Sequence, residues 1–159
     1  MIPTHIEKRK EGLMRRTLTW FAGMGLLVSA SAAVAAPVRY VPAAEGFPFS
    51  KAVAVDGVLY LSGEIGTGAD GKLVQGFDAQ VRQTMDNIVA TLAGEGLTTD
   101  DVFKCTVYLA DMSQWGAFNR IYLSYFKPGR LPARSALGVN GLAMGAVTEV
   151  ECWASLHPK

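Results

Sequence analysis

Residues 129–154 read GRLPARSALGVNGLAMGAVTEVECWA, and their pattern decides the fold. Arg134 stands behind Pro132 in a mostly apolar setting. Downstream, Glu149 and Glu151 alternate with Val150, Cys152 and Ala154. A period of two marks a strand with one face buried. A cation and a carboxylate on neighbouring extended segments, little diluted by other charge, predict a small polar site cut into a hydrophobic sheet. Such a site would present the pair to a small anion.

Upstream, Val102 to Ala110 (VFKCTVYLA) reads as a strand with Cys105, Val107 and Leu109 on one face and Lys104, Thr106 and Tyr108 on the other. Asp111 or Ser113 caps a second helix. Trp115, Phe118, Ile121, Tyr122 and Tyr125 form its apolar stripe, with Asn119 beside it. The helical spacing reads as core packing rather than a stacking platform. Pro128-Gly129 ends this helix. Strands follow over Arg134–Val139 and Val147–Leu156, joined through Asn140-Gly141 and Gly145.

Further upstream, Phe77, Val81, Met85, Ile88 and Leu92 give a helix over Phe77–Ala93, stopped by Gly94 and Gly96. Arg82, Gln83, Asp86 and Asn87 fall off that stripe and are expected to be solvated. Gly63 to Gly76 is glycine-rich but lacks the spacing of a phosphate loop. It reads as a flexible connection, except that the backbone N–H groups of Ser62-Gly63 are placed to meet a ligand. Ala52–Val55, Asp56-Gly57 and Val58–Ser62 form a hairpin around a type I′ turn. Residues 36–46 read as a linker, with order beginning near Phe47.

The element order predicts one two-layer α+β domain over residues 47–159: a mixed sheet with two helices on one face. The other face carries Tyr60 or Leu61, Thr106, Tyr108 and Trp153. It is too apolar to stay wet and is expected to pack against identical subunits.

The 159 residues are half hydrophobic and carry a formal net charge of +1. Five basic and two acidic residues leave 1–35 at +3 and the rest at −2. The folded part therefore has no basic surplus for a phosphate backbone. Residues 1–35 read as a secretory signal peptide: a basic start, an uncharged run from Thr17 to Val38, and Ala33-Val34-Ala35 as the cleavage site. The competing reading is an uncleaved anchor. Arg15-Arg16 leaves the export route open between the general and the twin-arginine path. The expected location is periplasmic or secreted, with no stable membrane association after cleavage. Cys105 and Cys152 are read as buried free thiols acting as small hydrophobes, with a disulfide as the alternative. Past the leader His157 is the one histidine, which counts against a zinc site and a Ser-His-Asp triad.

PFSKAV, LYLSGEIG, FDAQVRQTMDNIVATLAGEGL, VFKCTVYLADM, FNRIY, PARSALGV and TEVECWA, in that order, resemble the RidA/YjgF family from about Phe47 to Ser155. The resemblance implies a chorismate-mutase-like homotrimer with clefts between subunits. It implies hydrolysis of reactive enamine and imine acids, of the 2-aminoacrylate type, to 2-keto acids and ammonia, without cofactor or metal. The family's catalytic arginine falls on Arg134 and its acid on Glu149. Ser62, Gly63 and Asn119 fall on substrate-contacting positions. Phe49 stands where some members carry a tyrosine, and Ala136 where some carry a cysteine.

The residue types suit this chemistry. A guanidinium fork binds a planar carboxylate bidentately, and a carboxylate can orient water or relay its proton. Alternatives from other classes are a non-catalytic trimer that binds small carboxylates, a ribonuclease, and a chaperone-like surface. The charge of −2 beyond the leader counts against the ribonuclease.

Overall fold

The computed structural model describes residues 37–157. The leader expected over 1–35 lies outside them. No helix among the described residues is long and apolar enough to cross a membrane.

Strands β1 (Arg39–Pro42), β2 (Ser50–Val55), β3 (Val58–Leu61) and β4 (Glu64–Ile65) precede helix α1 (Phe77–Gly94). Then come β5 (Val102–Leu109), α2 (Trp115–Leu123), β6 (Ala133–Gly138) and β7 (Thr148–Ser155). One seven-stranded mixed sheet runs in the order β1-β2-β3-β7-β5-β6, with β4 also on β7. The last strand inserts antiparallel between β3 and β5, while β6 runs parallel to β5 through the α2 crossover. The two-layer α+β expectation holds.

Both helices cover one face, because only one stripe of each is apolar. Val81, Met85, Ile88 and Leu92 of α1 are buried against Leu59, Val107, Leu109 and Val150 of the sheet. Burying each such side chain contributes about 1.5–3 kcal/mol. A Schellman turn closes α1: Gly96 N–H donates to Ala93 O and Leu97 N–H to Leu92 O, with Gly96 at φ +73°.

Three local expectations need correction. The linker contains β1, which pairs antiparallel with β2 from Arg39↔Ala54 to Pro42↔Ser50. Its four residues lack enough periods to show alternation, and proline is tolerated at such an edge. The glycine-rich connection is not wholly irregular: β4 lies on β7, and Asn87 Nδ2 donates to Ile65 O and Thr67 O. Asn87 is therefore a tether for that loop, not a solvated residue. Gln80 is a second tether, donating to Val74 O and accepting from Val147 N–H.

The cysteines are the third correction. Cys105 and Cys152 are directly opposed on β5 and β7, with Cα atoms 4.1 Å apart, and form a fully buried disulfide. Facing residues of an antiparallel pair bring like-sided side chains together, which period-two patterning alone could not specify across two distant strands. The bridge spans a sequence separation of 47. A loop of that length loses enough chain entropy for a stabilisation of about 4 kcal/mol in the chain-entropy account.

Candidate functional site

The register of the sheet divides the expected site residues into two groups. Arg134 pairs with Cys105 and Ala136 with Val107, so both point toward the helices. Glu149 alternates with buried Thr148 and Val150 and pairs with Tyr108, which places it on the opposite face. β5 lies between β6 and β7. The two segments are therefore not neighbours, and a single chain does not bring Arg134 and Glu149 together.

The first group sits at the open β6 edge. The Arg134 guanidinium carbon lies 4.7 Å from the Trp115 ring centroid and 4.6 Å from that of Tyr122, with Phe118 at 6.0 Å. Trp115, Asn119 and Tyr122 share one helix face at spacings of four and three. Stacking of this kind contributes about 0.5–2 kcal/mol and fixes the plane of the fork. Among the described residues, Arg134 has no carboxylate partner. The Asn119 Oδ1 and Tyr122 hydroxyl are buried with no hydrogen-bond partner. Burial, opposed by the Arg134 charge, pushes the Tyr122 hydroxyl up to about 12. It therefore stays protonated at neutral pH, a donor without an acceptor. The stripe read as core is core: Phe118, Ile121 and Tyr122 are buried and Trp115 and Tyr125 pack against them, while Trp115 and Tyr122 also cradle the cation.

The second group surrounds a cavity of about 470 Å³ lined by Phe49, Lys51, Gly63, Glu64 and Glu149 among others. A strand irregularity builds it. Between Tyr60↔Trp153 and Glu64↔Val150, three residues (Leu61, Ser62, Gly63) face two on β7 (Glu151, Cys152). That extra residue is a bulge, a device that re-aims side chains. At Gly63 an added Cβ would lie 2.0 Å from Glu149 Oε1, so only glycine leaves room for this carboxylate. At Gly66 an added Cβ would strike Gln80 at 2.4 Å, which keeps the loop tight on α1.

Ser62 departs from expectation. Its N–H donates to Lys51 O and its hydroxyl to Ser50 O, so its donors brace the bulge rather than face a ligand. Phe49 stands at the cavity wall, half exposed. Burial, then the charges of Glu151 and Glu64, raise Glu149 above the ordinary carboxylate range. Lys51 Nζ meets Glu64 Oε1 at 2.5 Å. The sequence reading passed over Lys51 and Glu64, although a lone lysine opening an apolar strand and an acid inside LYLSGEIG were signals. No group of three metal-binding side chains occurs among the described residues.

One half offers a cation with no carboxylate partner among the described residues and buried polar groups around it, and the other a perturbed carboxylate in a cavity. The sequence profile described as Endoribonuclease L-PSP matches residues 39–156. A mouse protein named 2-iminobutanoate/2-iminopropanoate deaminase is 41% identical over 119 residues, 74% of this chain and 87% of that protein. A RutC family protein of Aquifex aeolicus is 42% identical over 106 residues, 65% of this chain and 85% of that one. The crystal structure of RidA from an Antarctic Psychrobacter superposes with a TM-score of 0.67 at 34% identity, covering 73% of this chain and 94% of that one. With fold, register and sequence in agreement along the described domain, the chain belongs to the Endoribonuclease L-PSP family, the RidA/YjgF proteins.

Proposed function

We propose that the chain hydrolyses reactive 2-imino acids and their enamine tautomers, of the 2-aminoacrylate type, to 2-keto acids and ammonia, in clefts between copies of itself. The observation that carries this reading is the Arg134 guanidinium, stacked on two rings and without a carboxylate partner among the described residues. The mouse relative's name and its 41% identity support the reaction type. The separation of Arg134 from Glu149 supports a shared cleft, since only a second copy can bring the one group to the other. The face away from the helices supports self-association: Tyr60 and Phe103 pack edge-on against Trp153, and Tyr40, Phe103 and Trp153 stay exposed. A closed ring of three copies satisfies both requirements.

In this mechanism Arg134 grips the substrate carboxylate with two parallel N–H···O bonds. Glu149 of the neighbouring copy accepts a proton from water as its oxygen bonds to the imine carbon. On the protonated imine this gives a carbinolamine; Glu149 returns that proton to the amino nitrogen, the C–N bond breaks as the hydroxyl oxygen forms the carbonyl, and the hydroxyl proton passes to Glu149 as ammonia leaves. A carboxyl raised by burial suits both steps, being a stronger base than a solvated one and still able to donate. The disulfide fits an oxidising compartment and so an exported protein.

The test measures keto-acid release from imines generated in situ by an amino-acid oxidase, alongside sedimentation. The parent protein should accelerate release and sediment as a trimer. Arg134→Ala should remove the gain, and Glu149→Gln should bind a keto acid yet not turn over. A parent that binds keto acids without accelerating release is instead a carboxylate-binding protein. RNA cleavage assayed in parallel distinguishes the reading suggested by the family's description.

A further inference from the structure

The Cys105–Cys152 disulfide sits where nothing in solution touches it. Both residues are 0% exposed. Packing against other copies can only deepen a burial that one chain already completes. Neither strand lies at an edge: β7 runs between β3 and β5, and β5 between β7 and β6. On the helix side the bridge belongs to one apolar cluster with Val81, Met85 and Ile88 of α1 and Phe118 and Ile121 of α2, all of them buried.

Thiol–disulfide exchange needs room that this core lacks. An attacking thiolate has to touch a sulfur, and a mixed disulfide with the small molecule forms on the way. An interior packed as densely as an organic crystal has no space for that adduct. Reaching either sulfur means parting β5 from β7, at the centre of the sheet. Edges and loops open at little cost, whereas central strands open only near the free energy of global unfolding.

We propose that this disulfide is a one-way lock set by folding: it forms only while the core is open, and after the core has closed neither oxidants nor reductants change it. The step is exchange with a low-molecular-weight disulfide. One cysteine thiolate attacks that disulfide and releases a small thiolate. The second cysteine thiolate attacks the resulting mixed disulfide, closes Cys105–Cys152 and releases the other. The two protons given up by the cysteines end on the released thiols. A chain that folds among reductants therefore keeps two buried thiols when it moves to an oxidising compartment. For the exported chain that the leader predicts, the bridge is acquired only if the chain crosses unfolded. That favours the general path over a twin-arginine path that carries folded chains, the two routes left open by Arg15-Arg16.

The experiment runs the exchange in both directions on the purified protein. Disulfide-bonded protein is incubated with dithiothreitol across a guanidinium series, and free thiols are counted by alkylation and mass. Without denaturant, reduction should be at least about 10³-fold slower than for the unfolded chain, the ratio set by the open population of a stable domain. It should accelerate in step with unfolding read by tryptophan fluorescence. Protein reduced in guanidinium and refolded under dithiothreitol is then freed of reductant and given oxidised glutathione. It should keep both thiols while folded and lose them after a pulse of denaturant. Native reduction within about tenfold of the unfolded rate, or at a rate that ignores denaturant, means that local opening reaches the sulfurs and overturns the lock. Prompt oxidation of the folded dithiol form overturns it equally. Should the reduced chain fail to refold, the reduction series decides alone, by the same two outcomes.

Discussion

The aromatic cradle around Arg134 and the bulge around Glu149 hold opposite charges by opposite means. The cation is held by packing: two rings set its plane, and no acid among the described residues neutralises it. The acid is held by crowding: a glycine gives it space, and two other acids press on it. A stacked guanidinium is pre-oriented and keeps its charge for a ligand. A crowded carboxyl holds its proton more tightly than a solvated one, which suits proton traffic. The lesson is that one sheet can prepare two incompatible electrostatic environments by placing them on opposite faces.

The largest effect should come from Arg134→Ala. Loss of two charge-assisted bonds, about 1.5–3 kcal/mol each, should lower kcat/KM by roughly 10²–10⁴-fold. The thermal unfolding temperature of the same variant should fall by only a few degrees, the loss of the stacking energy, because the cradle is not built on an ion pair. Gly63→Ala tests the other half. Its Cβ would displace the Glu149 carboxylate, and a shift of about 1 Å can cost roughly 10²-fold in kcat; KM for the substrate should stay near the parent value. An unchanged kcat would mean that Glu149 is not where the reaction happens.

The disulfide lies between the halves, since Cys105 pairs with Arg134 and Cys152 lies on the Glu149 strand. Replacing both cysteines with alanine should cost about 2–4 kcal/mol, read by denaturant unfolding. Trp115→Ala should raise KM by about fivefold to thirtyfold, the equivalent of about 1–2 kcal/mol of cation–π stacking, with kcat little changed. Trp115→Phe should recover most of it. A structural role alone would not separate KM from kcat in this way.

The subtlest effects concern pH. A carboxyl raised in the folded state binds its proton more tightly there than in the unfolded chain. Its contribution to stability is therefore present at low pH and is lost as pH rises from the ordinary value of 4.5 through the raised one. Glu149→Gln should consequently be more heat-resistant than the parent at neutral pH, while inactive. Glu151→Gln removes a neighbouring charge that raises Glu149, so the acid limb of the activity profile should move to lower pH.

Long periodic segments were legible in the sequence because burial imposes their period. The stripe of α1, the alternation of β5 and the Asp56-Gly57 hairpin all stand where patterning put them. β1 was not legible, being too short to alternate. The disulfide was not, because pairing depends on register between strands 47 positions apart. The site was legible by residue type and not by arrangement. Arg134 and Glu149 were visible as charges among apolar neighbours, but the sequence does not say that β5 separates their strands. Trp115 and Tyr122 were legible as core, and their stacking on Arg134 was not, because a ring that stacks on a cation and a ring that packs on leucine obey the same helical spacing.

The Ser62-Gly63 bulge has a consequence for anyone shortening the chain. Deleting Gly63 would leave two residues facing two, so that β3 and β4 could zip onto β7 as one straight ribbon. By backbone pairing alone, that tidier ribbon is the better sheet. It would also have nowhere to seat a reacting molecule, so the irregular spacing is the part of the ladder that a stability screen would discard and an activity screen would keep.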